Sequence, residues 1–230
     1  MSVKLNDKNM KDFGLILLDG YHIATPQVKK QVVNIPGIDG AIDLTEALTG
    51  HVPYGNRLLE LEFKYLSDSG KEYHIVQSEV MNFCHGKEVK VIFDNDSKFY
   101  WIGRASVESS KERGYQTILI EVDVKPHKYN IYSSVEDWLW DPFDFLVDYA
   151  NELKDLIVTG SLETTVIGSI VPTNPIITSD EDMEILFEAV TYPIKKGTFT
   201  YYSIDLKDGE NKLLFKGNGV VTIDVRGGSL

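Results

Sequence analysis

The residues that could carry out chemistry are few, and they are poorly spaced for it. Cys84 and His85 lie side by side in a segment of helical periodicity. Successive side chains of a helix point about 100° apart, so these two do not form a nucleophile–base pair. The five histidines show neither the HxH nor the HExxH spacing that is typical of zinc sites. We therefore predict that the protein is not an enzyme and that it binds no metal or cofactor.

A cluster of acidic residues over Ser179–Glu184 offers several oxygen ligands to a calcium ion. The cluster lacks the glycine and the twelve-residue ligand spacing of an EF-hand loop. A turn with solvated carboxylates is therefore the favoured interpretation. Cys84 lies on the apolar side of its segment, and for this residue a packed thiol is favoured over a reactive one.

The composition limits the class of protein. The 230 residues are 43% hydrophobic and include one cysteine. Such a chain can bury a sizeable core but cannot form an internal disulfide or a cysteine metal cluster. The N-terminus has no apolar signal core, and no apolar run approaches the ~18 residues that span a membrane. We expect a protein that is made in the cytoplasm and is not inserted into membranes.

The formal net charge of −12 is unevenly distributed along the chain. The first 130 residues carry 16 Lys and Arg against 18 Asp and Glu, whereas the remaining residues carry 7 against 17. Such a step indicates a domain boundary, and we place the domains at 1–130 and 131–230. Because nucleic-acid affinity rests on clustered Lys and Arg, no nucleic acid is expected as a partner.

The N-terminal half has the pattern of a β-sheet or sandwich domain with one packed helix. Apolar and charged residues alternate over Leu59–Tyr65, as in a strand with one buried face. Residues 70–85 carry apolar side chains at steps of three and four. The segment begins within Ser69–Glu72, which has capping-box spacing. It ends before Gly86, a candidate helix terminator. Further strands are predicted at 13–18, 27–33, 88–93, 99–104 and 116–125.

The C-terminal half consists of short apolar runs separated by turn residues at intervals of roughly 8–12 residues, which is typical of an antiparallel β-sandwich. The predicted strands are Glu163–Ile167, Ile176–Ile177, Met183–Ala189, Gly197–Ile204, Lys212–Phe215 and Gly219–Val225.

A long loop, Asn34–Asn56, joins two predicted strands and is broken by four glycines and two prolines. Loops of this length are uncommon in compact domains and are usually functional or disordered. Disorder fits poorly, because the loop is rich in apolar side chains that need a surface to pack on. We interpret it as an ordered arm that packs on something outside its own domain.

The motifs of this loop resemble the N-terminal domain of siphophage distal tail proteins. The similar residues are Pro36–Gly40, Asp43–Leu44, Tyr54–Arg57 and the strand that follows them. Two later stretches extend the resemblance over nearly the whole chain: Trp138–Phe143 and Arg226–Leu230.

The resemblance implies a structural protein of the virion tail tip, made in the host cytoplasm. N-terminal domains would form a homohexameric ring, and galectin-like C-terminal β-sandwiches would project from it. The implied partners are further copies of the chain, the major tail tube protein, a tail-associated lysin or fibre protein and, as an open possibility, a receptor-binding protein. We assign the subunit boundary to five apolar residues of the arm: Ile38, Ile42, Leu44, Leu48 and Val52.

An aromatic cluster, Trp138, Trp140 and Phe143, follows the domain boundary. Buried tryptophan supplies a large contact area, so a core between the two domains is the favoured interpretation. Stacking on a sugar is the alternative, in which the C-terminal sandwich binds carbohydrate on the host cell wall through these residues or through Tyr201 and Tyr202. A glycosidase needs two carboxylates that face one cleft, which sequence spacing does not reveal.

Overall fold

The computed structural model describes residues 2–47, 50–66, 70–112, 115–132, 135, 153–169 and 171–230. The chain divides into two compact units, Met1–Lys128 and Tyr129–Leu230. Each unit has its own hydrophobic core.

The N-terminal unit is built on an antiparallel sheet with the strand order β2-β1-β8-β9-β10-β7-β3, and β4 also pairs with β7. The strands are β1 (Val3–Leu5), β2 (Lys8–Asn9), β3 (Leu15–Leu17), β4 (His22–Ile23), β5 (Val32–Val33), β6 (Ile42–Asp43), β7 (Arg57–Tyr65), β8 (Glu88–Phe93), β9 (Phe99–Glu112) and β10 (Tyr115–Val124). Among the described residues, the unit also contains two 3₁₀ turns, Met10–Phe13 and Asp94–Asp96, and the helix α1 (Tyr73–Cys84).

The alternating strand behaves as its sequence predicts. In β7, Leu59, Leu61 and Phe63 are completely buried. They lie beside the apolar residues of β10, for example Leu61 opposite Ile120. Side chains of one parity on two neighbouring strands share a face of the sheet, and this shared face forms the N-terminal core.

The helix α1 is shorter at its start than predicted. It begins at Tyr73 after Glu72, which provides no side-chain cap, and Ser69, the other half of the predicted capping box, lies outside the described residues. The buried side of the helix carries Val76, Val80 and Cys84. Gly86 has a φ of 72°, the left-handed conformation expected of a residue that ends a helix.

The strands that begin at the unit boundary or lie within the C-terminal unit are β11 (Lys128–Asn130), β12 (Leu156–Gly168), β13 (Ile176–Ser179), β14 (Met183–Phe187), β15 (Val190–Ile194), β16 (Gly197–Thr200), β17 (Gly209–Asp224) and β18 (Gly228–Ser229). Six of them form one antiparallel sheet in the order β15-β14-β17-β13-β16, with β12 also paired to β17, whereas β11 and β18 pair with each other.

One prediction for this unit is wrong: Lys212–Phe215 and Gly219–Val225 are not two separate strands, because the 16-residue strand β17 runs through both. Gly217, which lies between them, is directly opposite Gly160 of β12. Gly217 has a φ of 142° and Gly160 a φ of 75°, which L side chains rarely adopt. Before this pair β17 is joined by β14, and after it by β13. The glycines therefore mark the point at which the sheet changes neighbours and curls around its own core.

The predicted fold class, mainly β with one α-helix, is confirmed for the described residues, and the sheets are antiparallel and curled. The specific likeness of the C-terminal unit to galectins stays a prediction.

Candidate assembly surface

Residues 27–56, which we call the arm, form a two-stranded ribbon. Its base is closed by a bridge between Val28 and Tyr54 and by the Gly55 N–H, which donates to the Gln27 carbonyl at 2.8 Å. Further along, β5 pairs with β6. The long loop predicted at 34–56 is thus the tip and the returning half of this ribbon. The strand predicted at 27–33 supplies the outgoing half instead of joining the main sheet.

The two faces of the ribbon differ in polarity. Val33 lies directly opposite Ile42 in the β5–β6 pairing. Two positions closer to the base in the same register, the Leu44 N–H donates to the Gln31 carbonyl at 2.8 Å. Because side chains alternate along a strand, Val33, Ile42 and Leu44 share one face, which we call the apolar face. Val32 and Asp43, which also pair with each other, lie on the opposite face.

Local hydrogen bonds give the ribbon its shape. The Gln31 N–H donates to Thr45 Oγ1 at 3.0 Å, and the Thr45 N–H donates to Asp43 Oδ1 at 2.9 Å. Bonds to Thr45 hold the pKa of Asp43 below its ordinary value, because they favour the charged carboxylate. The arm is therefore an ordered element with its own bonds.

No described residue of the arm is fully buried. Of the predicted interface residues, Ile38 is 59% exposed, Ile42 45% and Leu44 38%. Val52 is half-buried, and Leu48 lies outside the described residues. The pattern missed Val32, Val33 and Ile35, which are also exposed. A cluster of exposed apolar side chains is typical of an interaction surface.

An aromatic and basic group surrounds the base of the arm. The ring of Tyr54 meets that of His127 edge-on, with centroids 5.8 Å apart. The guanidinium carbon of Arg57 lies 4.9 Å from the centroid of the Trp101 ring. Burial lowers the pKa of His127, and the positive charges of Arg57 and His51 lower it further. The residue types alone do not predict this group of side chains. For Arg57 the sequence does give a signal, because alternation along β7 places it on the same face as the buried residues of that strand.

The aromatic residues predicted to lie between domains or to contact sugar, Trp138, Trp140 and Phe143, lie outside the described residues. Of the two tyrosines named with them, Tyr201 is packed against the C-terminal core, whereas Tyr202 is 79% exposed. The structure therefore separates the two tyrosines: Tyr201 supports the core and Tyr202 is available to solvent.

The acidic turn predicted at 179–184 uses its carboxylates within the fold. Asp180 Oδ1 accepts the Val220 N–H at 2.6 Å, and Asp182 Oδ2 accepts the Lys195 ammonium at 2.8 Å. Within the part of the chain that the structure describes, no group of acidic, histidine and cysteine side chains is arranged to hold a metal ion.

Cys84 is completely buried, as predicted for a packed thiol, and burial raises its pKa to about 11. A thiol with so high a pKa is a poor nucleophile at neutral pH. Among the described residues, no helix is both long and apolar enough to cross a membrane.

Comparison with known families identifies the class of protein. The sequence model of the phage tail protein RIFT-related domain matches residues 8–125, half of the chain. The chain belongs to this family, which confirms the resemblance to siphophage distal tail proteins, and it is a structural protein of a phage tail.

A solved structure extends the similarity to both units. The crystal structure of SPP1 Dit (gp 19.1), described as a paradigm of the hub adsorption apparatus in phages that infect Gram-positive bacteria, aligns with a TM-score of 0.59. The alignment covers 100% of this chain and 99% of SPP1 Dit at 16% sequence identity, so it shows a shared fold. The search of curated protein sequences gives no match.

Proposed function

We propose that copies of this chain assemble through their N-terminal units, residues 1–130 in the predicted division, into a closed ring that forms the distal hub of a siphophage tail. The observation that carries the proposal is the arm, an ordered ribbon on whose apolar face Val33, Ile42 and Leu44 remain 38–46% exposed. A ribbon that packs on a neighbouring copy makes a head-to-tail contact, and such contacts close into a ring when the rotation between copies returns on itself.

In this proposal the arm residues Ile38, Ile42, Leu44, Leu48 and Val52 are buried between subunits. Burial of apolar surface contributes about 25 cal/mol per Å², and the contribution is repeated at every boundary of the ring. The ring is a hexamer at the virion tail tip. It joins the major tail tube protein to a tail-associated lysin, a fibre protein or a receptor-binding protein. Membership of the tail family and the fold shared with SPP1 Dit support this assignment.

The test is the mass of the protein in solution before and after removal of the arm. Val28 and Tyr54 bridge across the base of the ribbon, so residues 29–53 can be replaced by Asn-Gly, which closes a two-residue hairpin. We expect the full chain, with a subunit mass of 26.0 kDa, to give an oligomer by light scattering and a ring by negative-stain imaging. The shortened chain should be a folded monomer.

Two outcomes would contradict the proposal. One is a full chain that stays monomeric at every concentration. The other is a shortened chain that still forms the ring. Circular dichroism of the shortened chain serves as the control, because loss of association counts only if its β-sheet signal is retained.

Carbohydrate binding by the C-terminal unit is the second candidate function, and the exposed Tyr202 ring favours it. In sugar-binding sites, the apolar face of an aromatic ring packs on the sugar. The fold alone does not imply that such a site is present. Tyr202→Ala should abolish glycan-array signals and reduce phage adsorption if the ring stacks on sugar. Tyr192→Ala, at a partly buried tyrosine of the same unit, is the control. An array without hits for the unaltered protein excludes this candidate.

A further inference from the structure

Arg57 occupies an unusual position at the base of the arm. It is the first residue of β7, and the alternation of that strand places it on the same face as the buried Leu59 and Leu61. Its cross-strand neighbour is Val124 of β10, which is also buried. A charged side chain therefore stands at the edge of an apolar face, where the sheet meets the arm.

Among the residues that the structure describes, no carboxylate forms an ion pair with the buried Arg57 side chain. Arg57 is only 9% exposed, and its Nε is fully buried with no hydrogen-bond partner. Its guanidinium lies against the face of the Trp101 ring. Arginine is rarely buried unless it is paired, because an uncompensated buried charge destabilises the fold. The position therefore lacks an anionic partner.

The surroundings of Arg57 do not supply that partner. Asp123 belongs to the next strand but lies opposite Leu58, on the other face of the sheet, where its Oδ2 accepts the Asn56 side-chain amide at 3.2 Å. The neighbouring His127 is an imidazole and adds no negative charge. The Nε of Arg57 is cut off from solvent, whereas the residue as a whole remains 9% exposed.

We propose that the Arg57 guanidinium is the receptor for a carboxylate of a second copy of this chain, bound when the arm packs on its neighbour. This inference rests on the proposed ring. The planar guanidinium fork matches the two oxygens of a carboxylate. The chain itself is rich in such groups, with 35 Asp and Glu against 23 Lys and Arg. The position of Arg57, next to the exposed arm, places the pair inside the boundary that the arm would form.

The test compares three variants by sedimentation velocity over a range of concentrations. Arg57→Gln removes the charge and keeps polar length, and Arg57→Met keeps the apolar stem that packs on Trp101. Lys64→Gln is the matched control, because Lys64 is an exposed residue of the same strand and gives the same change in net charge. We expect both Arg57 variants to weaken subunit association at least about tenfold and the control to stay within about twofold of the unaltered protein.

Thermal unfolding separates this role from a purely structural one. At a concentration at which all variants are monomeric, Arg57→Met should unfold at the same temperature as the unaltered chain or higher, because it removes an unpaired buried charge. If Arg57 served only to support the fold, its replacement would lower the unfolding temperature together with association. That result would overturn the proposal, and the Met variant decides the question if the Gln variant does not fold.

The outcomes distinguish failure of the inference from failure of the proposed function. An unaltered chain that never associates refutes the ring and the inference together. A ring that persists in both Arg57 variants refutes the inference alone. In that case sodium acetate, added against sodium chloride, identifies the source of the anion: an unfolding temperature raised by acetate only when Arg57 is present would assign the site to a free carboxylate instead.

Discussion

The arm and strand β7 are consecutive in the sequence and carry similar apolar side chains, but those of β7 are buried and those of the arm remain partly exposed. Leu59, Leu61 and Phe63 of β7 are completely buried, whereas Val33 and Ile42 of the arm are about half exposed. The difference lies in their neighbours. Strand β7 has β10 on one side and β3 and β4 on the other, whereas the two strands of the arm pair only with each other. Hydrophobicity alone therefore does not decide burial; a second layer must be present to cover the residue.

The largest effect is expected in the core of β7. Phe63→Ala should lower the free energy of unfolding by about 3–5 kcal/mol, because it removes a fully buried ring and leaves a cavity. Urea denaturation followed by circular dichroism measures the change. Ile42→Ala on the arm is the contrasting variant and should change monomer stability by less than about 0.5 kcal/mol, as expected for an exposed site. Equal losses in the two variants would break the comparison.

The apolar face of the arm should act on association. We expect Val33→Ser combined with Ile42→Ser to weaken subunit association by about 1–3 kcal/mol per boundary, since two apolar side chains no longer gain from burial. Light scattering over a dilution series measures this change. Val32→Ser is the matched control, because Val32 belongs to the opposite face of the same ribbon. The assignment of the apolar face fails if the control weakens association as much as the double variant.

The same contrast explains which parts of the fold could be predicted from the sequence. The alternation at Leu59–Tyr65 and the helical spacing of Val76, Val80 and Cys84 are local patterns that report one buried face, and both were predicted correctly. The prediction of two strands on either side of Gly217 is wrong because the effect of this glycine depends on Gly160, which is its partner across the sheet but distant in the chain. Such pairings are invisible to a local pattern.

The candidate site was predicted in part for the same reason. Glycines and prolines identified the arm, and its apolar residues indicated a surface. The face on which they lie depends on the register in which Val33 meets Ile42, which the sequence does not state. The resemblance includes Arg57 in the Tyr54–Arg57 motif but gives it no role, because its contact with Trp101 joins two strands that are distant in the chain.

The reactivity of a thiol distinguishes a buried position from an exposed one, and this effect is smaller and more local than the two above. Burial raises the pKa of Cys84 to about 11, so the thiolate fraction at pH 8 is small. A cysteine introduced by Val32→Cys, on the open ribbon, should keep a pKa of about 8.5. We expect Cys84 to react with Ellman's reagent at least about a hundredfold more slowly than the introduced thiol. Comparable rates would show that the helix does not stay closed over the core.

Cys84 also gives a pH dependence with a defined sign. Because its pKa in the folded protein is about 11, above the ordinary value of 9.0, the unfolded chain loses this proton first as the pH rises. The contribution of the Cys84 thiol to the free energy of unfolding is therefore fully present below pH 9 and is lost as the pH approaches 11. Cys84→Ala should therefore show a flatter fall in unfolding temperature over this interval than the unaltered chain, when both are measured by differential scanning fluorimetry.

The smallest effect is expected within the arm itself, where one side-chain hydrogen bond joins the two strands. Thr45→Val removes the hydroxyl that accepts the Gln31 N–H and keeps the volume of the side chain. A single hydrogen bond contributes about 0.5–1.5 kcal/mol net, so the Gln31 amide should exchange with deuterium roughly two- to tenfold faster while global unfolding is unchanged. Thr45→Ser, which retains the hydroxyl, should behave as the unaltered chain. Faster exchange at Leu61 of β7 in the Val variant would mean that the ribbon and the core unfold as one unit. Faster exchange confined to the arm would instead establish the arm as a separate element, whose apolar surface is left for a neighbouring copy.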